Sequence, residues 1–421
     1  MRKMQAVKNF IHIFRPLYSP LFSFVRKRCN ISSPFYCFVK FIRRLPSSDF
    51  RRYLSQYLAP ESRGASISHN HPLVNMPVHV LGPLNKGRVI MLLENQSHHG
   101  GFCALWVYFL NRLSFSDKMG FYHVIDWNES EFYQEEHPVN GSTSIFGYYF
   151  QQPSGISLAE AKRSKSVVYD WNNPEFGYDD VFHVGGNMDY KFTSDDIKQF
   201  AAIQRKYIHL HPFIEKSFNE QISSLFQGKK TILGVHARGA DTKIGYKDHP
   251  TIITSEDYID KTEQLANQIN ADLIFLATDD QEILDQFKKK FGDKLVYYDD
   301  VIRSNGTVMN CFIEDERENH HYLLGLEIIR DVYTLAACTG FVCGMSYVSF
   351  IVQILKKAKN QKFKVFFRIF KGLAKEGIEL TDPNVRKKVK EKWDKELKYA
   401  NNSKVTDSQN IEKDIKENEK K

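Results

Sequence analysis

The chain has 421 residues, long enough for two domains with a core each, and its 42% apolar and 14% aromatic residues exclude a disordered chain. Its net charge of +8 is concentrated at one end: from Met1 to Arg52 twelve Lys/Arg stand against one acid, Asp49, so the remainder sums to −3. A near-neutral body excludes a nucleic-acid channel through the fold, which would need its basic residues there. Six scattered Cys with no C-x-x-C pair point to a reducing, cytoplasmic compartment rather than a disulfide framework.

The first sixty residues form a basic, aromatic arm, "KNFIHIFRPLYSPLFSFVRKRCN" followed by "FYCFVKFIRRL". Pro16, Pro20 and Lys40 interrupt it, and no window reaches the ~20 apolar residues of a spanning helix. Two readings stay open: an anchor lying on an anionic membrane surface, which would make the protein peripheral to the inner face of the membrane, or an arm packed on its own body or left without structure. Residues 61–225 read as an N-terminal α/β domain. An irregular, Pro- and Gly-rich lead-in precedes a buried strand, "GRVIMLLEN", a glycine turn at Gly100-Gly101, a helix from 102, and a second strand, "GFYHVIDW". Strand, glycine turn, helix, strand implies a parallel βαβ unit. The stretch 160–225 reads as mostly helical, with Thr193 or Ser194 as a cap.

Residues 226–384 alternate strand and helix: "KTILGVHA", "SEDYIDKTEQLANQIN", "DLIFLAT", "DQEILDQFKKKFG", "KLVYYD", "HYLLGLEIIRDVYTLAAC", "TGFVCG", "SFIVQILKKAKN", and a further strand in "FKVFFRIF". This predicts a doubly wound, Rossmann-like domain. Residues 385–421 read as a charged, solvated tail. The expected fold class is α/β, two Rossmann-like domains in tandem facing a central crevice, with ligands beyond the carboxyl ends of the strands.

Those ends carry the polar residues: Gly100 and Gly101 after the first strand, Asp126 and Trp127 after the second, His236, Arg238 and Asp241 after "ILGV", Thr278, Asp279 and Asp280 after "IFLA", Gly344 and Ser346 after "FVC". Singly, each is ordinary loop polarity. Together they suit a diphosphate. A guanidinium offers fixed charge and a planar fork of donors, and Gly239 lets backbone approach a ligand. His236 lies two residues before Arg238 and so points to the same side of an extended strand. No Walker pattern, no G-x-G-x-x-G after the first strand and no D-x-D triplet occurs. That disfavours ATPase and dinucleotide readings, and makes a metal-clamped diphosphate less expected than one held by Arg, backbone N–H groups and a helix N-terminus. Trp127 and Tyr148, with Phe132, Tyr133 and Tyr149, either stack on sugar rings of an acceptor or belong to the core.

"GVHARGADTKIG", "IFLATDDQEIL" and "IRDVYTLAACTGFVCGMSYVS", in that order, resemble the superfamily of α1,2-, α1,6- and protein O-fucosyltransferases, and most of all the bacterial chitooligosaccharide and core α1,6 enzymes. The likeness covers roughly 230–355 and, more faintly, 98–105. It implies a GT-B fold, GDP-fucose as donor, a glycan hydroxyl as acceptor, inversion at the fucose anomeric carbon, and no metal or other cofactor. By that resemblance Arg238 binds the β-phosphate and stabilises the leaving GDP, with Lys243 in support. His236 and Asp241 fill the other motif positions, Asp279 and Asp280 lie near the guanosine, Asp331 recognises guanine, and Ser346 contacts phosphate. The general base is assigned to Asp248, with Asp126 as the alternative, and a base-independent route also stays open. The chain departs from the family motif at Gly239, where a second Arg is usual, and at Thr242, an extra residue before Lys243. Other readings are a GT-B enzyme using a different GDP-sugar and an inactive nucleotide-binding relative.

Overall fold

The computed structural model describes residues 78–95, 101–128, 130–169, 193–239, 249–306 and 317–377, with 243, 245, 247 and 313. The arm 1–60, the tail 385–421, Gly100, Asp241 and Asp248 lie outside the described residues. Among the described residues no helix is long and apolar enough to cross a membrane. Packing divides the described residues into two units, one of 78–95, 111–127 and 152–169, the other of 101–110, the described part of 128–151 and those from 193 onward. Of the described residues, 101–110, 128, 130–151 and 193–225, which composition groups with the N-terminal domain, fall in the second unit.

The first unit holds β1 (Ile90–Glu94), β2 (Tyr122–Asp126) and β3 (Val167–Tyr169) in the order β2-β1-β3, all parallel. β1 is buried along its apolar run, as a central parallel strand must be. Ile90 and Leu92 pack on Val124, Val167, Ile156 and Ala161. Helix α1 (Phe102–Met119) follows β1. A short helix, α2 (Ile145–Tyr149), lies in the second unit, and α3 (Leu158–Ala161) returns to the first, started by a reciprocal Ser157–Glu160 capping box. β3 was not among the expected strands. Its three residues fall inside the stretch read as helical, and so short a run carries no usable period.

The second unit continues with α4 (Ser194–Tyr207) and α5 (Pro212–Phe226), then β4 (Ile232–His236), α6 (Ser255–Ile269), β5 (Leu273–Ala277), α7 (Gln281–Phe291), β6 (Leu295–Val296), α8 (His320–Ala337), β7 (Gly340–Cys343), α9 (Tyr347–Ala358) and β8 (Val365–Arg368). Five parallel strands run in the order β6-β5-β4-β7-β8. Starting at β4, the chain adds strands outward to β6, then reverses and adds β7 and β8 on the other side. This is the doubly wound order, and the reversal falls between β4 and β7. The α/β class with parallel sheets is as the sequence predicts.

Leu233, Val235 and Ala237 form one face of β4 and pack with Tyr258 and Leu265 of α6 and with Leu284 and Phe287 of α7. Fully burying each such large side chain contributes roughly 1.5–3 kcal/mol. On the other face Gly234 admits Leu335 of α8 and Cys338, the residue that ends it, to within about 3 Å of where a Cβ would stand. Side-chain caps start the helices where the sequence places polar residues: Thr193 with Asp196, Thr254 with Asp257, Asp280, and Ser346 with Ser349.

A methyl group at Gly340 of β7 would lie 2.6 Å from Val365 and 2.8 Å from Leu233 side-chain carbons, whereas one at Gly101 would meet nothing within 4 Å. Gly340→Ala is expected to destabilise by about 1–3 kcal/mol through overpacking and Gly101→Ala to leave the urea midpoint nearly unchanged. Equal shifts in the two variants would contradict this packing.

Candidate active site

The C-terminal ends of β4, β5 and β7 stand side by side, with His236 paired to Ala277 on one side and to Cys343 on the other. His236 is half-buried, and its Nδ1 lies 3.5 Å from Ser346 Oγ. Burial and the neighbouring Arg238 charge push the ring down to about 3, so it is neutral at ordinary pH. Arg238, two residues on, lines a pocket with His249, Pro250, Thr251, Ile252, Ile253, Tyr258, Gly344, Met345 and Ser346. Tyr258 is buried, its hydroxyl is hydrogen-bonded by the Arg238 main chain, and burial raises its pKa. A Cβ at Gly344 would stand 2.5 Å from that hydroxyl, so the bare backbone of Gly344 is what lets the tyrosine reach under the strand ends.

Two helix N-termini face this region, and their chemistry differs. Asp280 caps α7, accepting from the Glu282 and Ile283 N–H groups, and Glu282 adds a second acid to the first turn. The dipole there is already answered by carboxylate. α9 begins at Ser346, a neutral cap bonded to the Ser349 N–H, with no acid in its first turn. Its partial positive charge opens beside Arg238 and suits an incoming anion.

The motif residues after β5 turn inward. Asp279 Oδ1 accepts from the Gly239 N–H at 2.9 Å, and Thr278 Oγ1 accepts from the Asp280 N–H at 3.2 Å. Asp280 is fully buried and takes Lys243 Nζ at 2.6 Å, while Glu282 takes the same ammonium at 3.0 Å. Lys243 is thus paired with a buried carboxylate and with Glu282, apart from its expected place in support of Arg238. The absent second Arg has a steric cause: a Cβ at Gly239 would stand 2.3 Å from Asp280 Oδ2 and 2.4 Å from its Cβ.

Asp331 sits on α8 in a polar cluster of its own. Arg330 donates to Asp300 at 2.8 Å and to Gln221 at 2.9 Å, with its guanidinium 3.9 Å from the Tyr298 ring centroid. Arg303 donates to the Tyr298 carbonyl at 2.6 Å. Burial raises the Asp331 carboxyl to about 7 against the pull of Arg330 and Arg303. This cluster adjoins the β5 end, because the Ser304 N–H donates to the Asp279 carbonyl at 2.8 Å and the Gln281 N–H to the Ser304 carbonyl at 2.9 Å.

The residues expected to bind acceptor behave otherwise. Trp127 and Tyr148 are buried. The Tyr148 hydroxyl accepts from Gln134 at 3.0 Å and from the Glu135 N–H at 3.4 Å, so both rings are core and neither offers a face for stacking. Asp126 is buried and paired with Lys162 at 2.7 Å. Trp127 and Asp126 belong to the first unit and Tyr148 to the second. Gly101 is exposed, and its carbonyl accepts from Ala104 and Leu105 to start α1. Tyr258, His249, Thr251, Arg303 and Arg330 escaped the sequence reading. Tyr258 occupies a core position of its helix, and neither arginine stands at a strand end.

Residues 197–365 match the family described as alpha-(1,6)-fucosyltransferase N- and catalytic domains. No curated protein matches the chain. Among solved structures it is similar to NodZ alpha-1,6-fucosyltransferase soaked with GDP-fucose, at 17% identity over 64% of this chain and 92% of that one, TM-score 0.39. It is also similar to fucosyltransferase NodZ from Bradyrhizobium, at 15% over 64% and 92%, TM-score 0.39, and to POFUT1 in complex with GDP-fucose, at 14% over 68% and 99%, TM-score 0.40. Likeness at such TM-scores carries no functional weight by itself. The family match covers residues 197–365, which resemble the N- and catalytic domains of alpha-(1,6)-fucosyltransferases.

The geometry makes two measurable demands. Gly239→Ala should cost about 1–3 kcal/mol, since the methyl must displace a buried, doubly paired carboxylate; an unchanged urea midpoint would refute the clash. The folded state holds Asp331 protonated up to about pH 7, while the unfolded chain releases that proton near 3.8. The native state thus binds the extra proton between those values, and stability falls as pH rises through the window. Asp331→Asn should flatten that loss between pH 5 and pH 8, measured by urea unfolding at each pH.

Proposed function

We propose that this chain, whose residues 197–365 match an alpha-(1,6)-fucosyltransferase family, transfers fucose from GDP-fucose to a hydroxyl of a glycan acceptor with inversion at the anomeric carbon. One observation carries the reading: Arg238 and the acid-free N-terminus of α9 converge on one pocket at the strand-order reversal, where open parallel sheets bind ligands. The two sheet-bearing units are read as the two halves of a GT-B enzyme.

As the bond from the sugar to the diphosphate breaks, negative charge grows on the β-phosphate. The Arg238 fork and the first N–H groups of α9 meet that charge more strongly in the transition state than in the ground state, which lowers the barrier. Because Lys243 answers Asp280 and Glu282, the phosphate charge falls to Arg238 and the α9 backbone. Neutral His236, held beside Ser346, contributes hydrogen bonding without charge. Asp331, with Arg303 and Arg330 around it, is the guanine-reading group; its carboxyl, which ionises at about 7, accepts two N–H donors from the base edge once it has lost its proton. Among the described residues no group of three or more His, Cys, Asp or Glu is placed to hold a metal ion, and metal-independent departure of GDP is part of this proposal. Asp248 is assigned the acceptor proton. Asp126 suits that role less, being buried and paired with Lys162.

The acceptor is a bacterial surface polysaccharide or lipid-linked oligosaccharide, and the basic arm holds the enzyme against an anionic cytoplasmic membrane face. Thermal unfolding with GDP, UDP, CMP and GDP-fucose tests the donor. A nucleotide at ~100 times its Kd adds ~2.7 kcal/mol, so GDP and GDP-fucose should raise Tm in the unmodified protein and not in Arg238→Ala. Equal responses to UDP, or none to any nucleotide, would overturn the donor assignment.

A further inference from the structure

The pocket wall between β4 and α6 runs through residues 249–254 with little regular structure of its own. Buried or ligand-facing backbone must send its hydrogen bonds somewhere, and here they go to a segment much later in the chain. The Thr251 N–H donates to the Gly372 carbonyl at 2.9 Å, and the Ala374 N–H donates to the His249 carbonyl at 2.8 Å. Pro250 and Leu373 thus form an antiparallel bridge. The Thr251 hydroxyl adds a bond to the same Gly372 carbonyl at 3.1 Å.

Two further attachments flank this bridge. Lys371 pairs with Asp257, the residue whose carboxylate accepts from the Thr254 N–H at 2.9 Å to start α6. A Cβ at Gly377 would stand 2.5 Å from the Gly245 carbonyl oxygen, so the segment also lies against the loop after β4. Gly372 has φ +93 and Gly377 φ +142, values that L side chains rarely adopt. At the start of the segment the Ile369 N–H donates to the Cys343 carbonyl at 2.8 Å, and the Ile369 side chain is buried.

We infer that residues 369–377 are a strap that positions the nucleotide-sugar pocket by fixing the wall 249–254, so that the donor site extends past the end of the family-matched segment at residue 365. The inference rests on the donor reading above for what the pocket binds. The strap touches the wall from outside, since the pocket lining holds none of its residues. Its members are positioning residues, and they act by backbone bonds, which fix the His249 and Thr251 main chain whatever their side chains do. The ligand they serve is a nucleoside diphosphate whose phosphates lie between Arg238 and this wall.

The experiment uses the full chain with Ala374→Pro, which removes the N–H that His249 accepts, Ala374→Ser, which keeps it, and Lys371→Ala as a milder break. Amide hydrogen exchange without nucleotide should quicken at least tenfold across 249–253 in Ala374→Pro and less in Lys371→Ala, with β4, β5 and β7 as protected as before. GDP affinity by calorimetry should weaken about five- to tenfold in Ala374→Pro and return in Ala374→Ser. Unchanged exchange at 249–253, or loosened exchange with unchanged GDP affinity, would overturn the strap. Loss of protection throughout the sheet in Ala374→Pro, with Lys371→Ala silent, would also overturn it by marking a folding role instead. If the unmodified protein fails to bind GDP, the donor reading falls, and the nucleotide-free exchange arm still decides whether 369–377 holds the wall.

Discussion

A carboxylate withdrawn from water must be answered by charge and hydrogen bonds, and Asp280 sets the terms for everything around it. It caps α7 through two N–H groups and captures Lys243, and it fills the space a side chain at 239 would need. The consequences run outward. The backbone after β4 is pinned by Asp279, Arg238 is left as the guanidinium on the pocket wall, and the α7 N-terminus is unavailable to an anion. A glycine that looks in sequence like a lost catalytic charge is, in space, the complement of a buried acid.

The reversal of strand order then decides which helix serves the ligand. α7 and α9 both begin beside the sheet's carboxyl edge, yet only α9 starts from a neutral cap without acid in its first turn. The division commits one helix start to the protein's own electrostatics and leaves the other without a carboxylate of its own. Arg303, Arg330 and Asp331 form a second polar centre, linked to the first through Ser304. On the proposed donor reading, diphosphate and base meet separate recognition chemistry on one sheet.

Much of this was legible beforehand, for identifiable reasons. The β4, β5 and β7 runs are continuous and apolar because parallel strands are covered on both faces, and their polar ends fell where the sequence placed them. β6 came out as two residues where six had been read: Tyr298 packs edge-on against Phe275, and its carbonyl serves Arg303 instead of a ladder. Trp127 and Tyr148 could be read either way, since aromatic residues near a strand end or short helix have the same pattern in a core as at a sugar site. Tyr258 was invisible because it occupies an ordinary core position of its helix. The strap was hidden for a deeper reason: its bonds are largely main chain to main chain and leave little side-chain signature.

The pairing of β4 with β7 also has a kinetic meaning. These neighbours are about a hundred residues apart in sequence, the Ile232 N–H reaching the Thr339 hydroxyl across a separation of 107, and their ladder forms only after that long loop closes. His236 and Ser346 stand on opposite sides of this late contact. The β4–β5–β6 half can assemble from nearer contacts. A chain emerging from the ribosome therefore lacks the pocket until β7 and the start of α9 have been made, and no ligand of this pocket can stabilise any earlier intermediate through it.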